Sequence, residues 1–397
     1  MIAIPTAFRI IDSKTGCLGT EKISLEKAID RLLAEDVAAD SDMPPFDRSQ
    51  MDGYAVRARD TTGAPVTLRI VGESAAGRSW RGRLASGQAV RIMTGARVPM
   101  GADAIQKIEL TAESEEVVRI LAPTVKGRHI VTKGREVRSG KIVLRRGERV
   151  SVGNIAVLAA FGHDKVLVTK RPRVGIVSTG SEIVEIGKKP LRDQIRDSNS
   201  IMLSALCRDG GADVTTYQTV GDDLQILKTR IASAALQNDI LVTSGGVSVG
   251  KYDLTKTALQ ELGAEILFDK VRLKPGKPTV FAKLGRTLVL SLAGNPVSAA
   301  VTYHLFVRRA ILRLQAARQT GLITRTAILT GPAKSPRERA AYLPCLTDTD
   351  STGTLAATLL NWHGSSDFIG FSRATALVVV PRNKTYVAGD LVKILLL

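Results

Sequence analysis

Asp239-Ile240-Leu241-Val242-Thr243 runs directly into Ser244-Gly245-Gly246-Val247-Ser248-Val249-Gly250, and this stretch decides the fold. A short apolar run followed by small residues reads as a buried strand ending in a loop of exposed backbone N–H groups. The pattern recurs on both sides. Upstream, the apolar run Arg173–Ser178 enters the polar glycine turn Thr179-Gly180-Ser181-Glu182. Downstream, Thr287–Leu292 enters Gly294-Asn295-Pro296-Val297-Ser298. Helix-periodic segments fall at 199–209, 223–237, 254–262 and 296–317, with a further strand at Val214–Val220. Apolar strands alternating with helices predict a mostly parallel sheet, covered on both faces, over residues 172–318. Ligands of such sheets bind beyond the carboxyl ends of the strands, where these loops fall.

The loop residues suit an anion. Ser244, Gly245, Gly246, Ser248 and Gly294 leave the backbone open to a phosphate or another oxyanion. Asn295-Pro296 reads as an N-cap followed by Pro at the first helical position, so the positive end of helix 296–317 meets the same site. In Lys274-Pro275-Gly276-Lys277-Pro278 the prolines stiffen a loop carrying two ammonium groups, which reads as an oxyanion clamp or as a solvated pair. Thr179, Ser181 and Glu182 fit an ordinary turn as well as they fit a Mg²⁺ or nucleotide-hydroxyl site. Asp222 and Asp253 each open a helix and read as N-caps. Both also follow strands of the same sheet and would converge with Glu182. Three carboxylates at one sheet edge suit a hard cation that bridges phosphates.

Elsewhere the chain reads differently. Leu25, Ala28, Ile29, Leu32 and Leu33 carry a helical period, so 23–39 is predicted as an amphipathic helix capped by Ser24. Residues 45–138 are strand-like with glycine turns (Val66–Val71, Gln88–Met93, Val117–Leu121) and predict a β domain. A helix at 151–161 and a strand at 165–169 follow. From 319 to 397 the pattern is again β, with Thr326–Leu329, Ala356–Leu360, Leu377–Val380 and Leu391–Leu397, and predicts a small barrel or sandwich.

Composition narrows the function. The 397 residues are 44% hydrophobic but only 4% aromatic, so the cores are aliphatic. A net charge of +18, from 56 basic and 38 acidic residues, suits an anionic partner. No aromatic-interleaved basic stripe or nucleic-acid motif accompanies it, which argues against nucleic acid. The densest basic stretch, Lys126–Arg149, holds nine Lys/Arg against two Glu and reads as a solvated face or a partner surface. Cys17, Cys207 and Cys345 are far apart, and four scattered histidines show no zinc spacing, which favours a reducing cytoplasm. No apolar run approaches ~18 residues, so no membrane span is expected, and Met1–Ile10 lacks a signal-peptide apolar region. Without a Walker Lys-Ser/Thr, a GxGxxG or a Gly-x-Ser-x-Gly, the ATPase, dinucleotide and covalent-nucleophile readings recede.

Six motifs then fall in order: Met51-Asp52-Gly53-Tyr54-Ala55, Met93-Thr94-Gly95-Ala96, Ser178-Thr179-Gly180-Ser181-Glu182, Ser244-Gly245-Gly246-Val247-Ser248, Lys274-Pro275-Gly276-Lys277-Pro278 and Gly294-Asn295-Pro296-Val297-Ser298. In order and approximate spacing the chain resembles, over nearly its whole length, the molybdopterin molybdenumtransferases, the MoeA family, equivalent to the E domain of gephyrin. The resemblance implies a multidomain α/β plus β protein. Its parts would be an elongated N-terminal region at 1–44 and 139–170, an inserted β domain at 45–138, an α/β molybdopterin-binding-like domain at 171–318 and a C-terminal β-barrel at 319–397. It also implies a cytoplasmic homodimer whose active sites are lined by both subunits. The implied reaction turns adenylylated molybdopterin and molybdate into molybdenum cofactor and AMP, with Mg²⁺. The implied protein partners are molybdopterin adenylyltransferase and apo-molybdoenzymes.

By matching position, Glu182, Asp222 and Asp253 resemble the acidic cluster around Mg²⁺ and nucleotide. Lys274, Lys277 and Ser298 resemble molybdate or phosphate contacts, with Arg339 and Ser365 as further molybdate contacts. Asp52 and Thr94 resemble β-domain groups that face the partner subunit's cleft. The chain departs from the family pattern at Gln50, Ala293, Glu136 and Lys251, the last reversing a charge beside the nucleotide loop. The alternatives are the related adenylyltransferase, which would not need the β domain, and a non-catalytic scaffold or basic nucleic-acid binder.

Overall fold

The computed structural model describes residues 1–246, 254–349, 351–361 and 363–397. The chain divides into two compact units, one made of 1–35, 146–151 and 165–397, the other of 36–145 and 152–164.

The first unit is centred on a six-stranded sheet. In chain order its elements are β1 Arg173–Ser178, α1 Ser198–Asp209, β2 Asp213–Thr216, α2 Leu224–Gln237, β3 Ile240–Ser244, α3 Leu254–Glu261, β4 Glu265–Lys270, β5 Pro278–Leu284, β6 Thr287–Leu292, α4 Pro296–Thr302 and α5 Arg308–Leu314. The strand order is β2-β1-β3-β6-β5-β4. The first four strands are parallel, with Val174 opposite Ile240 and Ile240 opposite Leu288. β5 reverses direction, pairing antiparallel with β6 on one side and β4 on the other, so β4 at the edge again runs with the first four. β3 and β6 are buried at every position, as strands sandwiched between two helical layers must be. Val174, Ile176, Val242 and Leu290 face one core; Val177, Leu241 and Val289 face the other. α2 and α3 seal the second face. The first is sealed by α1, by the α4–α5 rod and by a helix the sequence reading did not contain, Ile4–Lys14, whose Ile4, Ala7 and Ile11 are buried in that core.

Two expectations are corrected. Residues 23–39 do not form a helix. Thr20–Ser24 is a strand paired antiparallel with Lys165–Thr169, Leu25–Lys27 is a single 3₁₀ turn, and Val37–Ala38 is extended. Asp30 has a positive φ of 61°, which ends any right-handed helix there. The Leu33 and Ala34 N–H groups donate to Glu148 and Leu167 instead of to the preceding turn. Leu32 and Leu33 are buried all the same, so the period reflected real core positions reached by an extended path. The rod predicted at 296–317 begins at Pro296 but widens into a π turn at Tyr303–Val307 and ends at Leu314. Thr302 Oγ1 donates back to the Ser298 and Ala299 carbonyls at 2.7 and 3.1 Å. Such competition with the backbone ladder loosens a helix at that turn.

The C-terminal segment of this unit is a closed barrel of five strands, Thr324–Leu329, Ala340–Thr349, Leu355–Leu359, Ala376–Val380 and Leu391–Leu396. Closure leaves few open strand edges. The dipeptide Leu273–Lys274 lies between β4 and β5 in the chain, yet it pairs in parallel with the start of Ala340–Thr349.

The second unit holds a six-stranded sheet in the order Ala104–Lys107, Gly53–Val56, Gln88–Ile92, Val66–Ser74, Val117–Ile120 and Thr111–Ser114. Tyr54, Val56, Leu68, Val118 and Ile120 fill one core and Ala55, Val90, Ile92 and Ile105 another, the alternation a twisted β sheet imposes. Among the described residues no helix is long and apolar enough to cross a membrane.

His304 sits in the π turn, with no hydrogen-bond partner for Nδ1. Burial, aided by the charge of Arg308, pushes its pKa from 6.5 down to about 4. The unfolded chain therefore takes up a proton in a range where the folded one does not. The stability so conferred is complete above pH 6.5 and is lost as pH falls toward 4, by roughly 3 kcal/mol. Urea titrations across this window should show the slope in the parent and a flatter profile in His304→Leu; an unchanged slope would assign the effect elsewhere.

Candidate active-site cleft

β1, β3 and β6 end side by side, and their ladders run on into the loops. Thr179 N–H donates to the Ser244 carbonyl at 2.9 Å, and Gly245 N–H to the Leu292 carbonyl at 3.2 Å. Gly245 has φ +92°, and a Cβ there would lie 2.2 Å from the Thr179 carbonyl oxygen. Gly246 has φ +64°, and its Cβ would lie 2.5 Å from Thr255 Oγ1. A side chain at Gly245 would have to move backbone, and one at Gly246 would displace the Thr255 and Thr179 hydroxyls and strain a left-handed φ. Gly294 is less confined, its nearest neighbour being Gly245 Cα at 3.5 Å.

Beyond these ends opens a cleft of about 1000 Å³. It brings together Thr179, Gly180, Glu182, Asp222, Ser244, Gly245, Gly246, Gly294 and Asn295, with Ser366 and Phe368 from the C-terminal segment. Gly180 has φ +146°, and a Cβ would meet the Glu182 carboxylate at 2.5 Å, so the glycine makes room for that carboxylate to fold back over the turn.

The two readings of Asp222 are separated here. The N-cap of α2 is Asp223, whose Oδ1 accepts from the N–H groups of Gln225 and Ile226 at 2.8 and 2.9 Å. Asp222 is released from that role. Its Oδ2 accepts from Ser181 Oγ at 2.7 Å, and it lines the cleft with Glu182. Capping and cleft chemistry thus fall to neighbouring aspartates.

Several cleft residues, Arg196, Asp197, Asn199, Ser366 and Phe368 among them, escaped the sequence reading. Asp197 caps α1 and accepts from Ser178 Oγ, Ser200 N and Oγ, and Thr219 Oγ1. Asn199 Nδ2 donates to Ser244 Oγ at 2.8 Å and to the Gly294 carbonyl at 2.7 Å, tying the ends of β3 and β6 together. The available signal was Asp197-Ser198-Asn199-Ser200, a capping sequence at the start of a predicted helix.

Asn295 occupies the N-cap position of α4 but makes no side-chain cap bond. Its Nδ2 donates to Ser365 Oγ at 2.9 Å, while the Val297 N–H donates to the Ser365 carbonyl at 3.0 Å. Ser298 lies buried within α4, 4% exposed. Because β5 runs antiparallel to β6, its first residue, Pro278, reaches the carboxyl edge of the parallel strands and lines the cleft. Lys274 and Lys277 precede it, and among the described residues neither makes an ion pair. Lys274 pairs across the barrel seam with Ala341, two residues beyond Arg339, so the clamp loop and Arg339 belong to one strand junction.

Asp52 and Thr94 belong to the second unit, where Asp52 Oδ1 accepts from the Thr94 N–H at 2.6 Å. Glu136, one of the departures, pairs with Arg48 at 2.8 Å. Gln50 donates its N–H to the His129 carbonyl at 2.9 Å, and Ala293 lines the cleft. Ser248, Lys251 and Asp253 lie outside the described residues.

Among the described residues no three His, Cys, Asp or Glu side chains gather as a cation site. Of the expected carboxylate triad, Glu182 and Asp222 share the cleft. A pair of this kind fits Mg²⁺, which binds through one or two carboxylates and completes its shell with water and phosphate oxygens.

Comparison with known proteins places this architecture. Residues 2–162 match the MoeA N-terminal region (domain I and II), 175–313 the "Probable molybdopterin binding domain", and 326–397 the MoeA C-terminal region (domain IV). A molybdopterin molybdenumtransferase of Bacillus subtilis is 35% identical over 394 residues, covering 95% of this chain and 90% of the relative. One of Staphylococcus aureus is 36% identical over 314 residues, covering 78% and 75%. The crystal structure of a molybdopterin biosynthesis MoeA protein from Pyrococcus horikoshii superposes with a TM-score of 0.87 at 29% identity, covering 100% of both chains. The fold is that of a transferase whose α/β domain matches this probable molybdopterin binding domain. The chain belongs to the molybdopterin molybdenumtransferase (MoeA) family.

Gly245→Ala should cost about 2 kcal/mol or more in urea-derived stability, whereas Gly294→Ala should change it by less than about 1 kcal/mol. Equal losses would mean the close approach at Gly245 is not what confines the loop. Asp223→Ala should cost about 1 kcal/mol as a lost cap, and Asp222→Asn should leave the melt unchanged.

Proposed function

We propose that the protein inserts molybdenum from molybdate into adenylylated molybdopterin with Mg²⁺, releasing AMP and forming the molybdenum cofactor. The observation that carries this reading is the gathering of Glu182 and Asp222 with the bare backbones of Gly245, Gly246 and Gly294 at one cleft. A pyrophosphate-linked nucleotide needs such N–H groups and a cation to balance its charge. Glu182 and Asp222 would hold Mg²⁺, which would supply neutralisation of phosphoryl charge. The Gly245–Gly246 turn would position the phosphates by backbone donation. Lys274 and Lys277, on a loop held by the barrel strand, would hold the molybdate dianion, joined by Arg339 and Ser365. No covalent nucleophile is required, since cleavage of a phosphoanhydride depends chiefly on charge stabilisation and positioning. In the same reading the protein is a homodimer of the four-part division given above. Asp52 and Thr94 of one subunit then complete the cleft of the other.

The assay is Mg²⁺-dependent AMP release, with cofactor detected by reconstituting an apo-molybdoenzyme. Lys274→Ala, Asp52→Ala and Asp222→Asn should each reduce turnover by about 100-fold or more without unfolding the chain. Asp223→Ala, which removes only a cap, should keep it. A folded parent protein that releases no AMP and reconstitutes nothing would sink the proposal.

A further inference from the structure

The cleft carries three carboxylates, those of Glu182, Asp197 and Asp222, and among the described residues one cationic side chain, Arg196. It is the one side chain of the described lining whose own charge attracts a phosphoryl group. Arg196 is exposed, and its backbone is fixed at the cleft's edge. It ends the short strand Ile195–Arg196, which pairs in parallel with Ile183–Val184. The N–H groups on either side of it, of Ile195 and Asp197, donate to the Glu182 and Val184 carbonyls at 2.8 and 2.9 Å. Its Nε–H donates to the Lys188 carbonyl at 3.1 Å. That bond anchors the guanidinium at its inner nitrogen. Both terminal amino groups are left without a partner among the described residues.

Arg196 lines the same cleft as three carboxylates, yet among the described residues it forms no ion pair with any of them. Here the nearest in sequence, Asp197, is already occupied by Ser178, Ser200 and Thr219, and Asp222 accepts from Ser181. A guanidinium held by Nε with two free amino groups presents the fork that binds phosphate through paired charge-assisted hydrogen bonds.

We infer that Arg196 is a phosphate-binding residue of this cleft, gripping a phosphoryl group of the ligand through its two terminal amino groups. This deepens the proposed reaction and rests on the cleft being its nucleotide-phosphate site. Lysine at this position would supply charge without the fork, so it would replace Arg196 only in part.

The test is calorimetric titration of AMP, inorganic pyrophosphate and adenosine into the full chain, with Mg²⁺ present throughout, for the parent, Arg196→Gln and Arg196→Lys. Arg196→Gln should weaken AMP and pyrophosphate binding by about tenfold or more. It should leave adenosine binding and the melting temperature unchanged, and Arg196→Lys should recover part of the loss. Undiminished AMP and pyrophosphate binding in Arg196→Gln would overturn the inference and leave the nucleotide reading standing. Equal loss for adenosine would make Arg196 structural and overturn it as well. A parent that binds pyrophosphate through Arg196 but not AMP would sustain the inference and remove the nucleotide. A parent that binds neither overturns both.

Discussion

The cleft depends on one close approach, that of the Gly245 backbone to the Thr179 carbonyl, where a Cβ would sit 2.2 Å from the oxygen. Three parallel strands can end in register only if their first loop residues also fit between one another. Gly245 continues the ladder toward Leu292, and Thr179 continues it toward Ser244. Asn199 then bridges Ser244 and Gly294. The result is a glycine-rich rim that exposes main chain, with Glu182, Asp197, Asp222 and Arg196 as the charged residues of the lining. Backbone donors on a rigid rim keep their direction when a charged ligand enters, so the site reorganises little as charge moves.

The second organising feature is the reversal of direction at β5. A parallel strand in that place would have begun at the far edge of the sheet. Running antiparallel to β6, it starts at the cleft edge, with Pro278 in the lining. The loop before it carries Lys274 and Lys277 to the same edge as the carboxylates, but on another element. Among the described residues the two lysines form no ion pair, so their charge is not cancelled within the chain.

Much of this was legible in the chain itself. Continuous apolar runs such as Thr287–Leu292 can belong only to strands buried on both faces, and that strand falls where it was read. Glycines between strand and helix marked the rim. Other features were illegible for physical reasons. Leu25, Ala28, Leu32 and Leu33 keep a helical period, but their burial is achieved by an extended path whose backbone bonds go to Glu148 and Leu167, contacts more than a hundred residues away in sequence. Asp222-Asp223 offers two equivalent caps, and only the φ and ψ of Asp223 choose between them. Asn199 looked like one more polar residue of a helix start. The barrel's hold on Leu273–Lys274 involves a two-residue strand, too short to show any period.

That two-residue strand changes what the barrel is for. Lys274 takes its place from Ala341 and Leu273 from Ala340, so where this loop stands is set by where a barrel strand starts. A graft that exchanged the barrel for a relative's would carry the placement of both lysines along with it. The C-terminal segment is in this sense a gauge for a loop of the α/β domain, besides lending Ser366 and Phe368 to the cleft.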